Sequence, residues 1–172
     1  SAEARTRALD QAVECARLAE DTALFTRAVM TVGRRSFGGA ERADTHLVEL
    51  LREAIERVPG DDHASRADLA SCLTRQLFIH DLVAAGEAAA LAMAEAEASG
   101  EAAVRARAMH AAVVGLPGNP AREFVQRFQE RAEEAGDLEL EYAAATSLFF
   151  RHVNEGRRAE SDQALGRLTA IA

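Results

Sequence analysis

Lysine and tryptophan are both missing from this 172-residue chain, and aromatic residues make up only 5% of it. Each shortage excludes something. Without lysine, the phosphate-binding loop GxxxxGK[ST] cannot exist. The nucleophile-elbow motif GxSxG is absent as well. Only two cysteines occur, Cys15 and Cys72, with no CxxC or Cys/His spacing that would suit zinc, so both read as buried free thiols. No run of 18 apolar residues is present, which argues against a transmembrane helix. A net charge of −8 argues against non-specific nucleic-acid binding, which needs a basic surface, so no direct nucleic-acid contact is expected. No signal peptide is visible, and a cytoplasmic location is the default expectation.

What the chain does have is alanine, within a 48% hydrophobic content, and 20 basic residues that are all arginine. Alanine loses no side-chain entropy on entering a helix and lets helices approach closely. Valine and isoleucine are scattered, and no segment reads as a convincing strand. The expected class is all-α, with nine helices.

Their boundaries follow from caps and breakers. Residues 3–19 carry Leu9, Ala12, Val13, Ala16 and Ala19 on one face. Asp21, Asp44, Asp81 and Asp137 each stand where a helix should begin, and an aspartate there accepts from the exposed amides of the first turn. The stretch Leu47, Leu50, Leu51, Ala54, Ile55, Val58 is a clean amphipathic stripe, stopped by Pro59-Gly60. Gly33 to Gly39 is the longest loop. Asn119 and Pro120 read as the cap and first residue of a helix that buries Phe124, Phe128 and Ala132.

Three segments align without gaps: Ala16–Leu24, Ala96–Val104 and Ala132–Leu140. Each is a helix end, a two-residue turn with an acid, and the start of the next helix. With a looser copy near Ala54, the period is about 36–42 residues. A two-helix unit of that length buries one face alone and needs stacking to bury the rest.

The run Leu47–Val58, then Pro59-Gly60-Asp61-Asp62 and Arg66–Leu73, resembles the tetratricopeptide-like region of large bacterial regulators. Ala132–Leu140 and Glu155–Leu165 resemble it too, although the strict signature is absent, with Tyr142 as the one tyrosine. Those regulators join an NTPase domain to a helical-repeat sensor and often to a LuxR-type DNA-binding or cyclase domain. The resemblance implies a single helical-repeat domain over residues 1–172, a fragment of a larger protein, built as a tetratricopeptide-like α-solenoid of about four hairpins plus a leading helix. It implies a non-catalytic interaction or sensory module of a signal-responsive transcriptional regulator, partnered by a protein, a peptide or neighbouring domains. One alternative is a small-molecule receptor with a cavity between helices. Another is an oligomerisation segment that self-associates through end-helix residues such as Leu165, Leu168 and Ile171.

No enzyme site and no cofactor emerge from the residues. Asp61-Asp62 lacks a third acid and reads as helix capping. His46/Glu49 and His152/Glu155 place histidine before glutamate, the reverse of the helical Glu-x-x-His metal motif, and read as solvated or capping groups. In tetratricopeptide-like stacks the first helix of each unit lines the concave side; here those are 22–32, 64–79, 101–114 and 137–154. They carry Arg27, Arg75, Arg105, Arg107, His110, Tyr142 and Arg151. Arginine and tyrosine are common interface anchors, and arginine pairs with carboxylates, so an acidic peptide or helix is the expected occupant.

Overall fold

The computed structural model describes residues 2–34, 44–115 and 120–171, apart from the side chains of 2–6 and 9. The described chain is all helical: α1 (Ala2–Leu18), α2 (Thr22–Gly33), α3 (Thr45–Arg57), α4 (His63–Leu77), α5 (Leu82–Ser99), α6 (Ala102–Gly115), α7 (Arg122–Ala135), α8 (Leu138–Asn154) and α9 (Arg158–Ile171). Among the described residues no helix is long and apolar enough to cross a membrane. The side chain of Leu9, the loop residues after Arg34, and Asn119 lie outside the described residues.

The aspartates act as expected. Asp21 accepts from Leu24 N, Asp44 from Leu47 N, Asp81 from Ala84 N and Asp137 from both Glu139 N and Leu140 N, at 2.8–3.2 Å. Of the Asp61-Asp62 pair it is Asp62 that caps, accepting from Ser65 N at 3.1 Å. The helix expected from Pro120 begins instead at Arg122, with Ala121 as an N-cap that makes no side-chain bond. Phe124 there is only half-buried, and Val125 joins Phe128 and Ala132 in the core.

Two of the three repeated segments share turn geometry as well as sequence, whereas in Ala96–Val104 the equivalent amide of Glu101 donates to Ser99 Oγ. Asp21 N donates to Ala16 O and Asp137 N to Ala132 O, closing the same six-residue loop at each helix end. Both turns need a residue in the left-handed region: Gly136 at φ +63° and, unusually, Glu20 at φ +51°. Arg157 N repeats the bond to His152 O after Gly156.

Consecutive helices pack against one another throughout. In addition α2 touches α4, α4 touches α6, and α6 touches α8. The even-numbered helices therefore form a row, with α4 between two neighbours of that row. That position explains why every residue of α4 from Ala67 to Leu77 is buried. The core divides along the row. Around α1–α5 it is filled by large side chains, including Phe25, Leu47, Leu51 and Leu69. Between α4, α5 and α6 it narrows to Ala67, Ala70, Ala92, Ala96, Val104 and Ala108. Around α6–α8 it widens again on Met109, Phe128 and Leu140.

Charged ties cross these layers. Glu53 of α3 pairs with Arg17 of α1 at 2.5 Å and with Arg57 at 2.7 Å. Both guanidinium groups lie over the Phe25 ring, that of Arg57 at 4.7 Å from its centroid. Glu95 of α5 accepts from His63 and Arg66 of α4 at 2.7 and 2.6 Å. Burial raises the Glu95 carboxyl, but the hydrogen bonds and charges of His63 and Arg66 outweigh that and hold it below its ordinary value.

Candidate functional site

The buried run of α4 contains five polar side chains, Asp68, Ser71, Thr74, Arg75 and Gln76. Burying such groups is costly unless each finds a partner. Ser71 and Thr74 solve this locally, bonding back to Ala67 O and Ala70 O. Asp68 solves it across the row. It accepts two bonds from Arg107 of α6, at 2.6 and 3.0 Å, and one from Arg34, just beyond α2, at 2.5 Å. Three neighbouring even-numbered stretches are thus clamped on one carboxylate.

Arg75 lies two turns beyond Asp68 on the same face, since seven residues nearly complete two helical turns. Only 9% of it is exposed, and its Nη2 donates to Cys72 Sγ at 3.3 Å. No carboxylate among the described residues pairs with it. Burial raises the Cys72 thiol, outweighing the Arg75 charge that lowers it, so the sulfur does not supply a counter-ion.

Arg75 opens on a cleft of about 330 Å³ shared with Arg34, Arg107 and His110 on one wall and with α8 on the other. The α8 wall supplies Asp137, Glu139, Leu140 and Tyr142. His110 stacks on Phe128, ring centroids 5.6 Å apart and planes within 7°. Burial, and then the Arg75 charge, lower its pKa to about 4, so the imidazole is neutral at pH 7 and offers one donor and one acceptor. The cleft therefore holds a guanidinium without a carboxylate partner and a neutral imidazole on one side. The Asp137 and Glu139 carboxylates at the start of α8 and the Tyr142 phenol line the other. This arrangement can bind and orient a charged group; no group of three or more metal-ligating side chains occurs among the described residues.

Four of the seven expected residues meet here: Arg75, Arg107, His110 and Tyr142. Three do not. Arg105 stands two residues before Arg107, about 200° round the same helix, and pairs with Glu97 of α5 at 3.4 Å. Arg27 lines a separate cavity of about 520 Å³ between α2 and the α3–α4 turn, with Thr26, Met30, Val58 and Pro59. Arg151 donates to Pro120 O and pairs with Glu155 at 2.8 Å, beside Val113 and Phe150.

Arg34, Asp68 and Glu139 were not expected in the site. The spacing of Asp68 and Arg75 was a readable signal for the second; Arg34 was hidden by its place at the start of a loop. Two further expectations need correction. Cys15 is exposed, because it falls between the buried positions Val13 and Ala16 of α1. His152 is buried at 7% exposure rather than solvated, since it faces inward near the end of α8. His46, in contrast, is exposed and meets Asp10 at 2.8 Å.

No protein-family model matches the chain, and searches of curated proteins and of solved structures return no match either.

Proposed function

We propose that the chain is a non-catalytic interaction module, a tetratricopeptide-like α-solenoid of a multidomain bacterial signal-responsive regulator, whose inner row takes an acidic segment of a protein partner at the Arg75 cleft. The row α2, α4, α6, α8 and the recurring turn after Ala16 and Ala132 support the repeat reading. The resemblance of Leu47–Leu73 and Ala132–Leu140 supports the regulator reading.

The observation that carries the binding reading is Arg75. A guanidinium that is nine-tenths buried, without a carboxylate partner among the described residues, and open to a cleft is poised to receive a carboxylate. Such a bond is charge-assisted and directional, which suits one anchoring side chain within a longer contact.

Selection of a random displayed peptide library against the protein tests this. Enriched peptides should carry aspartate or glutamate. Their affinity should fall at least about tenfold with Arg75→Met, recover partly with Arg75→Lys, and stay unchanged with Arg105→Gln. Enrichment of neutral or basic peptides, or indifference to Arg75→Met in a folded variant, overturns the reading.

A further inference from the structure

The cleft is not uniformly basic. Glu139 faces it from the first turn of α8, exposed and without an ion-pair partner among the described residues. Asp137 lies beside it, its carboxylate turned to the amides of Glu139 and Leu140. Both acids sit at the N-terminus of α8, the positive end of its helix dipole. Opposite them Arg107 and Arg34 share the single Asp68 carboxylate, and Arg75 is the one guanidinium of the three with no carboxylate partner among the described residues. A ligand that brings a carboxylate alone satisfies Arg75 but sets a like charge against the α8 wall. At a separation of several ångströms in partly excluded solvent, that repulsion offsets much of the gain.

We infer that the cleft selects a peptide carrying an acidic and a basic side chain on one face, the acid entering at Arg75 and the base meeting Glu139. This rests on the cleft being the peptide site, as proposed above. It adds that the partner motif is of mixed charge rather than acidic throughout. Recognition is then a matter of matching two opposite walls, and specificity arises because a uniformly acidic competitor is repelled by one of them. Arg75, being buried, contributes the larger share; Glu139, being exposed to solvent and screened, contributes the smaller.

The test uses peptides from the selection, resynthesised with the basic residue kept, replaced by glutamine, or replaced by glutamate. Anisotropy titrations at low and moderate salt read the affinities. The peptide with the base should bind about threefold tighter than its glutamine form and about tenfold tighter than its glutamate form. Glu139→Gln should erase the preference for the base while leaving dependence on Arg75. Glu139→Lys, an exposed change that leaves the fold intact by its thermal melt, should reverse it, so that the glutamate form binds best. If peptides with and without the base bind equally and still depend on Arg75, the mixed-charge inference falls and the acidic-segment reading stands. If the glutamate form binds best to the unaltered protein, the inference is likewise overturned. If no peptide depends on Arg75, both fall.

Discussion

The two flanks of α4 are built differently. On the α2 and α3 side, Phe25, Leu47, Leu51 and Leu69 fill a core of large side chains. On the α5 and α6 side, alanine fills most of the same role. Large side chains stabilise by the area each removes from water, so that side depends on the presence of individual residues. Alanine buries little area per residue and stabilises by letting backbones approach, so the other side depends on what is absent at each contact. Glycine sharpens the contrast, because α2 and α6 both end in one that packs on α4. A Cβ at Gly33 would lie 3.2 Å from Cys72 Cβ, tight but tolerable. A Cβ at Gly115 would fall inside the Thr74 Cγ2 methyl. Thr74 cannot yield readily, being fully buried and bonded to Ala70 O at 2.9 Å.

The largest effect is expected on the bulky side. Phe25 is fully buried beneath two guanidinium groups. Phe25→Ala should cost about 4 kcal/mol, from lost burial and the cavity left behind, as measured by denaturant unfolding. A loss below about 2 kcal/mol would mean that α1 and α3 collapse onto the gap, and the flank would then be less rigid than its packing suggests.

On the α6 side His110 adds a pH dependence at mildly acidic pH. Its folded pKa of about 4 lies below the ordinary value of 6.5. Below pH 6.5 the unfolded chain therefore takes up a proton that the folded chain refuses. The contribution to stability is complete above about pH 6.5 and is lost as the pH falls toward 4, by at most about 3 kcal/mol. His110→Gln should flatten that part of the stability profile. Arg75→Met should move the midpoint seen by NMR upward, because it removes the second cause of the shift. An unmoved midpoint would separate His110 from Arg75 and weaken the description of the cleft.

A paired comparison gives the smallest effects and bears most directly on the contrast. Gly115→Ala should destabilise by about 2 kcal/mol, because overpacking against Thr74 exceeds the gain in helix propensity. Gly33→Ala should stay within about 1 kcal/mol of the unaltered protein, since Cys72 and Leu51 need give only a few tenths of an ångström. Equal losses at the two glycines would show that the close approach on the α6 side relaxes easily. Thermal melts of the two variants decide between these outcomes.

Most of the helical layout was legible because its signals are local. Asp21, Asp44, Asp81 and Asp137 mark helix starts through bonds that span three residues, and periodic leucines in α3 mark its buried face. Pro120 does not mark the first residue of α7, because a proline that fits the first turn of a helix also fits the extended residues just before one. Within the site, helix phase separates Arg107 from Arg105, and that much could have been read from their spacing of two. The partnership of Arg34, Asp68 and Arg107 could not, because each residue is as compatible with solvent as with burial until α2, α4 and α6 are laid side by side.

The sequence by itself determined that this chain is helical, where most helices start, and that its turns recur, because capping, propensity and periodicity act within a few residues. The tertiary structure alone decided which side chains share a cleft. Placing α4 between α2 and α6 buries Asp68 and Arg75 together, spends both bonding edges of the acid on Arg34 and Arg107, and leaves the Arg75 guanidinium facing α8 without a carboxylate. That imbalance is a property of three packed helices, and no window of sequence contains it.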